Sequence, residues 1–307
     1  MADNGNGNGG GRAMNDSNAK KCENIVLDIF HRYLVGQRIA DSLIDSIPEV
    51  QRSLIRCIQT SVPVDAIVTG VIKRAGRNYN YDLELEYECT DASRSILCLE
   101  IKQGKALRRI EDAPQVLSVA EKDGDFIPTS DTPVSYATFF YDTFLERFNA
   151  ALDVPFTGEL PSREDYLKWV YGSQYSKHPW FVYAKDKSPR GSRATSIVAE
   201  SIGAYLDRYV GDFKPRDIIE RLRRTQLRKV FILKDTTTGE WCKDRFTDDV
   251  FDLGGTDPVV TLAKGTHGHS HTIVISLPHS TIRALLRWKN HNGVMYPAYQ
   301  VRVLRHP

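Results

Sequence analysis

Alternating apolar and acidic residues at positions 81–88 form the most regular pattern in the chain. A period of two is typical of a β-strand, here one with an acidic face. A polar turn centred on Asp91 follows, and a second alternating run occupies residues 96–102. The two runs and the turn between them predict a β-hairpin.

The predicted hairpin brings charged side chains together on one face. If the strands pair about Asp91, Asp82 lies opposite Glu100, with Lys102 two residues further along the same face. Cross-strand neighbours are about 5 Å apart, and like charges there are destabilising unless something binds between them. A divalent cation is the obvious candidate. A register slip of one pair would bring Glu84 to this position instead. A solvated acidic sheet face with a Glu–Lys pair is the remaining alternative.

Apolar spacing elsewhere predicts a mixture of helices and strands. Helical patterns occupy residues 22–34, 39–47 and 50–59, ahead of a β-branched strand at 62–72. Further predicted helices are 105–122 (interrupted near Pro114), 135–152 with a core phenylalanine stripe, and 196–209. Further predicted strands are 180–184, 230–233, 240–246, 259–262, 272–277 and a final hairpin at 282–288 and 299–304. These elements predict an α/β fold of the α+β type, with a mixed sheet flanked by helices and a β-rich C-terminal region.

The composition is that of an ordinary globular protein, with 41% hydrophobic and 26% charged residues in a chain of 307. The net charge is only +2, so a nucleic-acid surface would need local clustering of basic side chains. Five cysteines without a CxxC pair are typical of reduced thiols in an intracellular protein. No apolar run has the length of a membrane span, and we expect a soluble, cytoplasmic protein.

The pattern Asp82 … Glu100-Ile101-Lys102 resembles the PD-(D/E)xK phosphodiesterase superfamily, which includes restriction endonucleases, recombination nucleases and junction resolvases. The predicted order of helices, strand, acidic hairpin and following helix also matches the αβββαβ core of that superfamily. Tyr81 stands where many members have proline, and the resemblance covers residues 20–122. It implies a restriction-endonuclease-like core with a central mixed sheet.

The resemblance implies that Asp82, Glu100 and Lys102 are catalytic. Asp82, Glu100 and the Ile101 carbonyl would hold Mg²⁺, which lowers the pKa of a bound water and offsets charge on the transition state. Lys102 would orient or help deprotonate the attacking water. A further acid is expected on the first helix or the hairpin. The candidates are Glu23, Asp28, Asp41 (preferred on the helix) and Glu84.

The C-terminal segment Leu286-Arg287-Trp288-Lys289-Asn290, followed by Gly293 and Pro297-Ala298-Tyr299-Gln300, is similar to the closing segment of some type II restriction endonucleases. Its arginine and amide groups can read guanine and adenine edges, and a basic loop at residues 185–195 suits contacts with the phosphate backbone. The predicted DNA-contacting residues are Lys187, Arg190, Arg193, Arg287, Lys289, Asn290, Asn292 and Gln300. The alternatives are an exposed strand face with Trp288 in the core, and a solvated loop.

These resemblances predict a Mg²⁺-dependent endonuclease that cuts double-stranded DNA at a short sequence as a homodimer, like a type II restriction enzyme. The alternatives are a structure-specific repair or recombination nuclease and a non-catalytic DNA-binding protein on the same scaffold. The predicted organisation is a Gly/Asn-rich disordered tail at residues 1–17, a nuclease core at 18–155 and a DNA-recognition region at 156–307, with a single domain over 18–307 as the alternative. The histidine tract at 267–271 lacks the nearby partners of a zinc site.

Overall fold

The computed structural model describes residues 10–37, 44–74, 81–113, 115–120, 134–172, 178–189, 191–264, 271–288, 294 and 297–306. The described chain is a mixed α/β protein with seven α-helices and two five-stranded sheets. It forms two compact units, one of Met1–Pro114 with Arg223–Asp248 and one of Gln115–Leu222 with Asp249–Pro307. The predicted boundary after residue 155 does not coincide with this division, because two strands of the first sheet come from residues beyond it.

The elements follow one another in this order along the chain. The helices are α1 (Gly10–Ile29), α2 (Glu49–Gln59), α3 (Tyr136–Ala150), α4 (Arg163–Gly172), α5 (Pro179–Lys187), α6 (Arg193–Tyr209) and α7 (Pro215–Gln226). The strands are β1 (Ile67–Lys73), β2 (Leu83–Glu88), β3 (Arg94–Gly104), β4 (Leu117–Ala120), β5 (Lys229–Asp235), β6 (Trp241–Asp244), β7 (Val259–Lys264), β8 (His271–Ser276), β9 (Ser280–Trp288) and β10 (Pro297–Arg305).

The first sheet is mixed and has the strand order β1-β2-β3-β5-β6. β1, β2 and β3 form an antiparallel meander, β5 lies parallel to β3, and β6 is antiparallel to β5. A parallel pair needs a long connection, usually one that contains a helix, and α7 directly precedes β5 in the chain. β3 is therefore a central strand with partners on both sides.

One face of the first sheet packs into a hydrophobic core with α1 and α2. Leu83, Leu85 and Leu99 are fully buried in this core together with apolar side chains of both helices. Successive strand residues point to opposite faces, so Glu84 and Glu100 lie on the other side of the sheet. The helices predicted from the apolar stripes at 22–34 and 50–59 are confirmed, the first ending in a π-helical turn, Phe30–Leu34.

The second sheet is antiparallel throughout and has the strand order β4-β10-β9-β8-β7. Aromatic side chains fill its core, where Tyr136 and Phe140 of α3 pack against Trp288 of β9. Trp288 donates to the Tyr136 hydroxyl over 3.0 Å, and that hydroxyl also hydrogen-bonds Ser201 of α6 at 2.8 Å. The predicted phenylalanine core and the final antiparallel hairpin of β9 and β10 are confirmed.

Helix α1 begins at Gly10 and so includes residues 10–17 of the segment predicted to be a disordered tail. Two local predictions are wrong. In the described part of residues 105–122, a short 3₁₀ turn (Ile110–Asp112) and β4 replace the predicted helix. The strand predicted at 180–184 is part of α5, which starts with Pro179. None of the described helices combines the length and apolar character that a membrane crossing needs.

Candidate metal centre

The hairpin of β2 and β3 has the register that the sequence alternation predicts. Leu83 pairs with Leu99 and Glu84 with Cys98, so the pairing is symmetrical about the predicted turn centre. Asp82 lies immediately ahead of β2, and its amide N–H donates to the Leu99 carbonyl over 2.9 Å. The acid at this end of the hairpin is therefore Asp82, and the register slip that would have substituted Glu84 does not occur.

The Asp82 carboxylate is held against β3. Its Oδ2 atom accepts a hydrogen bond from the Ile101 amide N–H at 2.7 Å, and Oδ1 has no hydrogen-bond partner among the described residues. Burial, and then the negative charge of Glu100, raises the pKa of Asp82 from 3.8 to about 6, against the effects of the Ile101 hydrogen bond and of Lys102. The environment thus disfavours the charge of the Asp82 carboxylate, and a cation bound beside it would favour that charge.

The Glu100 carboxylate is bound by two lysines. Lys102 Nζ lies 2.5 Å from Oε1, and Lys229 Nζ lies 3.3 Å from Oε2. Lys229 is the first residue of β5. In the parallel register of β5 with β3, Glu100 pairs with Phe231. Lys229 is two residues before Phe231 and therefore lies on the same face of the sheet as Glu100. The Lys229 side chain is only 1% exposed, and burial lowers its pKa despite the charge of Glu100. Lys229 is not among the site residues predicted from the sequence.

Glu84 has a separate set of partners. Both of its carboxylate oxygens accept hydrogen bonds from the Arg74 guanidinium, at 3.1 and 3.2 Å, and the Tyr81 hydroxyl donates to Oε2 over 2.9 Å. These hydrogen bonds, led by that of Arg74, hold the pKa of Glu84 below its ordinary value. Glu84 is therefore a bidentate ion-pair partner, and the arrangement does not favour it as the additional metal-binding acid.

Among the acids eligible on the first helix, Glu23 is close to the site. Its negative charge contributes to the raised pKa of Asp82, and its Oε2 atom lies 2.7 Å from Lys73 Nζ on β1. Asp28 is exposed and pairs with Arg32 one helical turn away at 2.9 Å. Asp41, the preferred candidate, lies outside the described residues, so that preference stays a prediction.

Comparison with known proteins finds no family model that matches the chain, no matching curated protein and no matching solved structure. Function is therefore inferred from the chemistry of the site.

The donor atoms of the site fit a hard divalent cation. No group of three or more His, Cys, Asp or Glu side chains among the described residues could hold a metal ion. Mg²⁺, however, is usually bound by one or two carboxylates with water completing its shell, and Asp82 and Glu100 supply two. The Ile101 N–H points to Asp82, and the carbonyl of a strand residue points to the same edge as its N–H, which makes a third oxygen available.

Two of the predicted phosphate-contacting residues, Lys187 and Arg193, lie at helix ends. Lys187 ends α5 and lies 2.9 Å from the carboxylate of its neighbour Asp186, whereas Arg193 is exposed at the start of α6. Helices α5 and α6 thus extend into the two ends of the basic loop predicted at 185–195. Arg190 lies outside the described residues.

The predicted base-reading residues lie on the second sheet. Arg287 on β9 and Gln300 on β10 are half-buried, on the face opposite to the fully buried Trp288, and Gln300 hydrogen-bonds Gln115. Arg283 and Arg302 are cross-strand partners on the same face, which the sequence analysis did not identify. Lys289, Asn290 and Asn292 lie outside the described residues. His271 is buried on β8 with Nε2 3.9 Å from Asp207, and the other tract histidines are not described.

Proposed function

We propose that the protein is a Mg²⁺-dependent endonuclease that hydrolyses phosphodiester bonds of double-stranded DNA at a short specific sequence, acting as a homodimer. The observation that carries the proposal is the arrangement at the end of the β2–β3 hairpin. There a half-buried Asp82 carboxylate lies beside Glu100, and Lys102 extends from the same strand face onto Glu100. Two carboxylates and an ammonium group are what a PD-(D/E)xK phosphodiesterase would need.

The order of elements in the first sheet supports this assignment. When α2 and the elements between β3 and α7 are left out, the order along the chain is helix α1, the antiparallel meander β1–β3, helix α7 and strand β5, which is parallel to β3. This reduced order is compatible with the αβββαβ order expected of a restriction-endonuclease-like core. Residues between β3 and α7 form much of the second unit, so the core is assembled from segments far apart in the chain.

Each residue of the site has a distinct proposed role. Asp82, Glu100 and the Ile101 carbonyl would hold Mg²⁺, which when bound supplies Lewis acidity and an activated water. Lys102, which is 20% exposed, would turn from Glu100 to orient the attacking water and to stabilise negative charge on the scissile phosphate. The face of the second sheet that carries Arg283, Arg287 and Arg302 would contact base edges and phosphates of DNA.

Incubation of the protein with plasmid DNA, with and without Mg²⁺, tests the proposal. We expect discrete fragments that require Mg²⁺, and loss of cleavage with retained DNA binding in Asp82→Ala and Lys102→Ala. Glu84→Gln is the matched control, because this acid is on the same strand but paired with Arg74. Cleavage that survives in either alanine variant would remove the assigned residues from the mechanism.

A second candidate function is a non-catalytic DNA-binding protein, favoured by the fact that both oxygens of Glu100 already have lysine partners. The same plasmid experiment distinguishes it, since it predicts binding without Mg²⁺-dependent cleavage. A structure-specific repair nuclease, the remaining alternative, would cut branched or damaged DNA in preference to intact plasmid.

A further inference from the structure

The two lysines that bind Glu100 differ in how freely they can move. Lys102 is 20% exposed and can turn into solvent, whereas Lys229 is 1% exposed with its Nζ 5.8 Å from the ring centre of Phe231. A side chain enclosed in a close-packed interior cannot change position without displacing its neighbours. The Oε1 atom of Glu100 can therefore be released by its partner, while Oε2 stays bound to Lys229.

The charges of the cluster are balanced. Counted in their ionised forms, the two carboxylates Asp82 and Glu100 are matched by two ammonium groups, those of Lys102 and Lys229, both bound to Glu100. The neighbouring ion pair of Glu23 on α1 with Lys73 on β1 adds no net charge. A divalent cation that approaches the cluster meets no excess of negative charge. Even after Lys102 has turned away, Lys229 still cancels the charge of one carboxylate.

We propose that Lys229 is a positioning residue and a fixed internal counter-charge, which orients Glu100 through Oε2 and keeps the affinity of the site for free divalent cations low. Tight binding of the cation then requires a ligand that brings additional negative charge, such as the phosphates of DNA, so the two ligands bind with positive coupling. The inference rests on the proposed function, since it takes Asp82 and Glu100 as the metal ligands.

Binding of Mn²⁺ to the full-length protein without DNA tests this role, measured by electron paramagnetic resonance at about pH 8, where carboxylates are ionised. Lys229→Met removes the charge, and Lys229→Gln removes the charge but keeps a hydrogen-bond donor for Glu100. We expect both to bind Mn²⁺ about tenfold more tightly than the wild type, because a like charge next to a ligand has been removed. Equal or weaker affinity in either folded variant overturns the proposal.

Lys234→Met is the matched control, because this lysine lies on the same strand with its side chain over Trp241 instead of Glu100. We expect its Mn²⁺ affinity to stay within about twofold of the wild type, as for a charge outside the site. Tightening equal to that of Lys229→Met would show a general charge effect and overturn the specific role.

A measurement on the wild type does not depend on whether the Lys229 variants fold. In a nuclear magnetic resonance titration of ¹⁵N-lysine protein with Mg²⁺, the ammonium signal of Lys102 should shift. The buried Lys229 signal should remain protected from solvent exchange at both ends of the titration. Loss of that protection on Mg²⁺ binding would overturn the proposal.

The outcome for Lys229 and the outcome for the proposed function can be told apart. If the wild type cleaves DNA with Mg²⁺ but Lys229→Met binds Mn²⁺ no more tightly, the counter-charge role fails and the nuclease assignment stands. If Lys229→Met binds Mn²⁺ more tightly but the wild type cleaves no DNA, the counter-charge role stands and the nuclease assignment fails.

Discussion

Asp82→Asn should stabilise the folded protein while abolishing the proposed cleavage. Burial and the adjacent Glu100 raise the pKa of Asp82 from 3.8 to about 6 in the folded chain. The folded protein therefore holds this proton more tightly than the unfolded chain does, and ionised Asp82 lowers the free energy of unfolding. The rise in pKa corresponds to about 3 kcal/mol at most. Because Asp82 keeps some contact with solvent, we expect a gain of about 1–3 kcal/mol in the variant.

The stability difference between Asp82→Asn and the wild type should depend on pH. In the wild type, ionised Asp82 lowers the free energy of unfolding by its full amount above the folded-state pKa of about 6, where Asp82 is ionised in both the folded and the unfolded protein. This loss of stability is relieved as the pH falls from about 6 towards 3.8, and it is absent below that value, where both states are protonated. The asparagine carries no charge, yet its side-chain oxygen can still accept from the Ile101 N–H. Its advantage should therefore be present at about pH 8 and nearly gone at about pH 4.

Urea unfolding of both proteins at these two pH values, followed by circular dichroism, measures the difference. Glu84→Gln is the control for removing a carboxylate from the same strand, and it should be destabilised because it loses charge-assisted hydrogen bonds. An Asp82→Asn protein that is no more stable than the wild type at about pH 8 would refute the electrostatic reasoning. So would a stability difference that is the same at both pH values.

Three further changes have predictable effects on stability. Glu84→Gln should lose about 1–2 kcal/mol of unfolding free energy at neutral pH and keep Mg²⁺-dependent cleavage, as urea unfolding and the plasmid assay would measure. Gly203→Ala would place a methyl group 2.6 Å from the His271 ring. The melting temperature should therefore fall, with a loss of about 1–3 kcal/mol of unfolding free energy. Gly211→Ala is its control, because an added methyl group there meets nothing within 4 Å. Tyr136→Phe removes the hydroxyl between a buried tryptophan and a buried serine and should cost about 1–2 kcal/mol in urea unfolding. A Gly203→Ala protein as stable as its control, or a Tyr136→Phe protein as stable as the wild type, would contradict the described packing.

The register of the charged hairpin could be predicted because its determinants are local. A period-two pattern fixes which residues share a face, and a polar turn of defined length fixes which residues pair, so Asp82 could be placed beside Glu100 from spacing alone. The bidentate pairing of Glu84 with Arg74 could not be predicted in this way. It depends on β1, whose register with β2 is shifted by an irregularity between Val68 and Gly70.

Contacts between residues far apart in the chain, and the secondary structure of short apolar segments, could not be predicted from the sequence. Lys229 precedes the predicted strand at 230–233, where a lysine is usually an exposed strand end, and only the parallel pairing of β5 with β3 brings it to Glu100. The segment 180–184 is apolar and short, a pattern that helices and strands share. The signals for helix were Pro179 in the first turn and His178 ahead of it, whose ring accepts from the Trp180 N–H at 3.3 Å.

The parallel pairing of β3 with β5 also determines when the site can be completed during synthesis. Glu100 and Lys229 are 129 residues apart, and most of the second unit lies between them. The local hairpin can form soon after it leaves the ribosome, but one edge of β3 has no strand to pair with until β5 has been made. For that interval the nascent chain exposes a sheet edge that carries Glu100 without its buried partner. An unpaired strand edge can pair with other chains, so this part of the nascent chain is open to aggregation until β5 has been made.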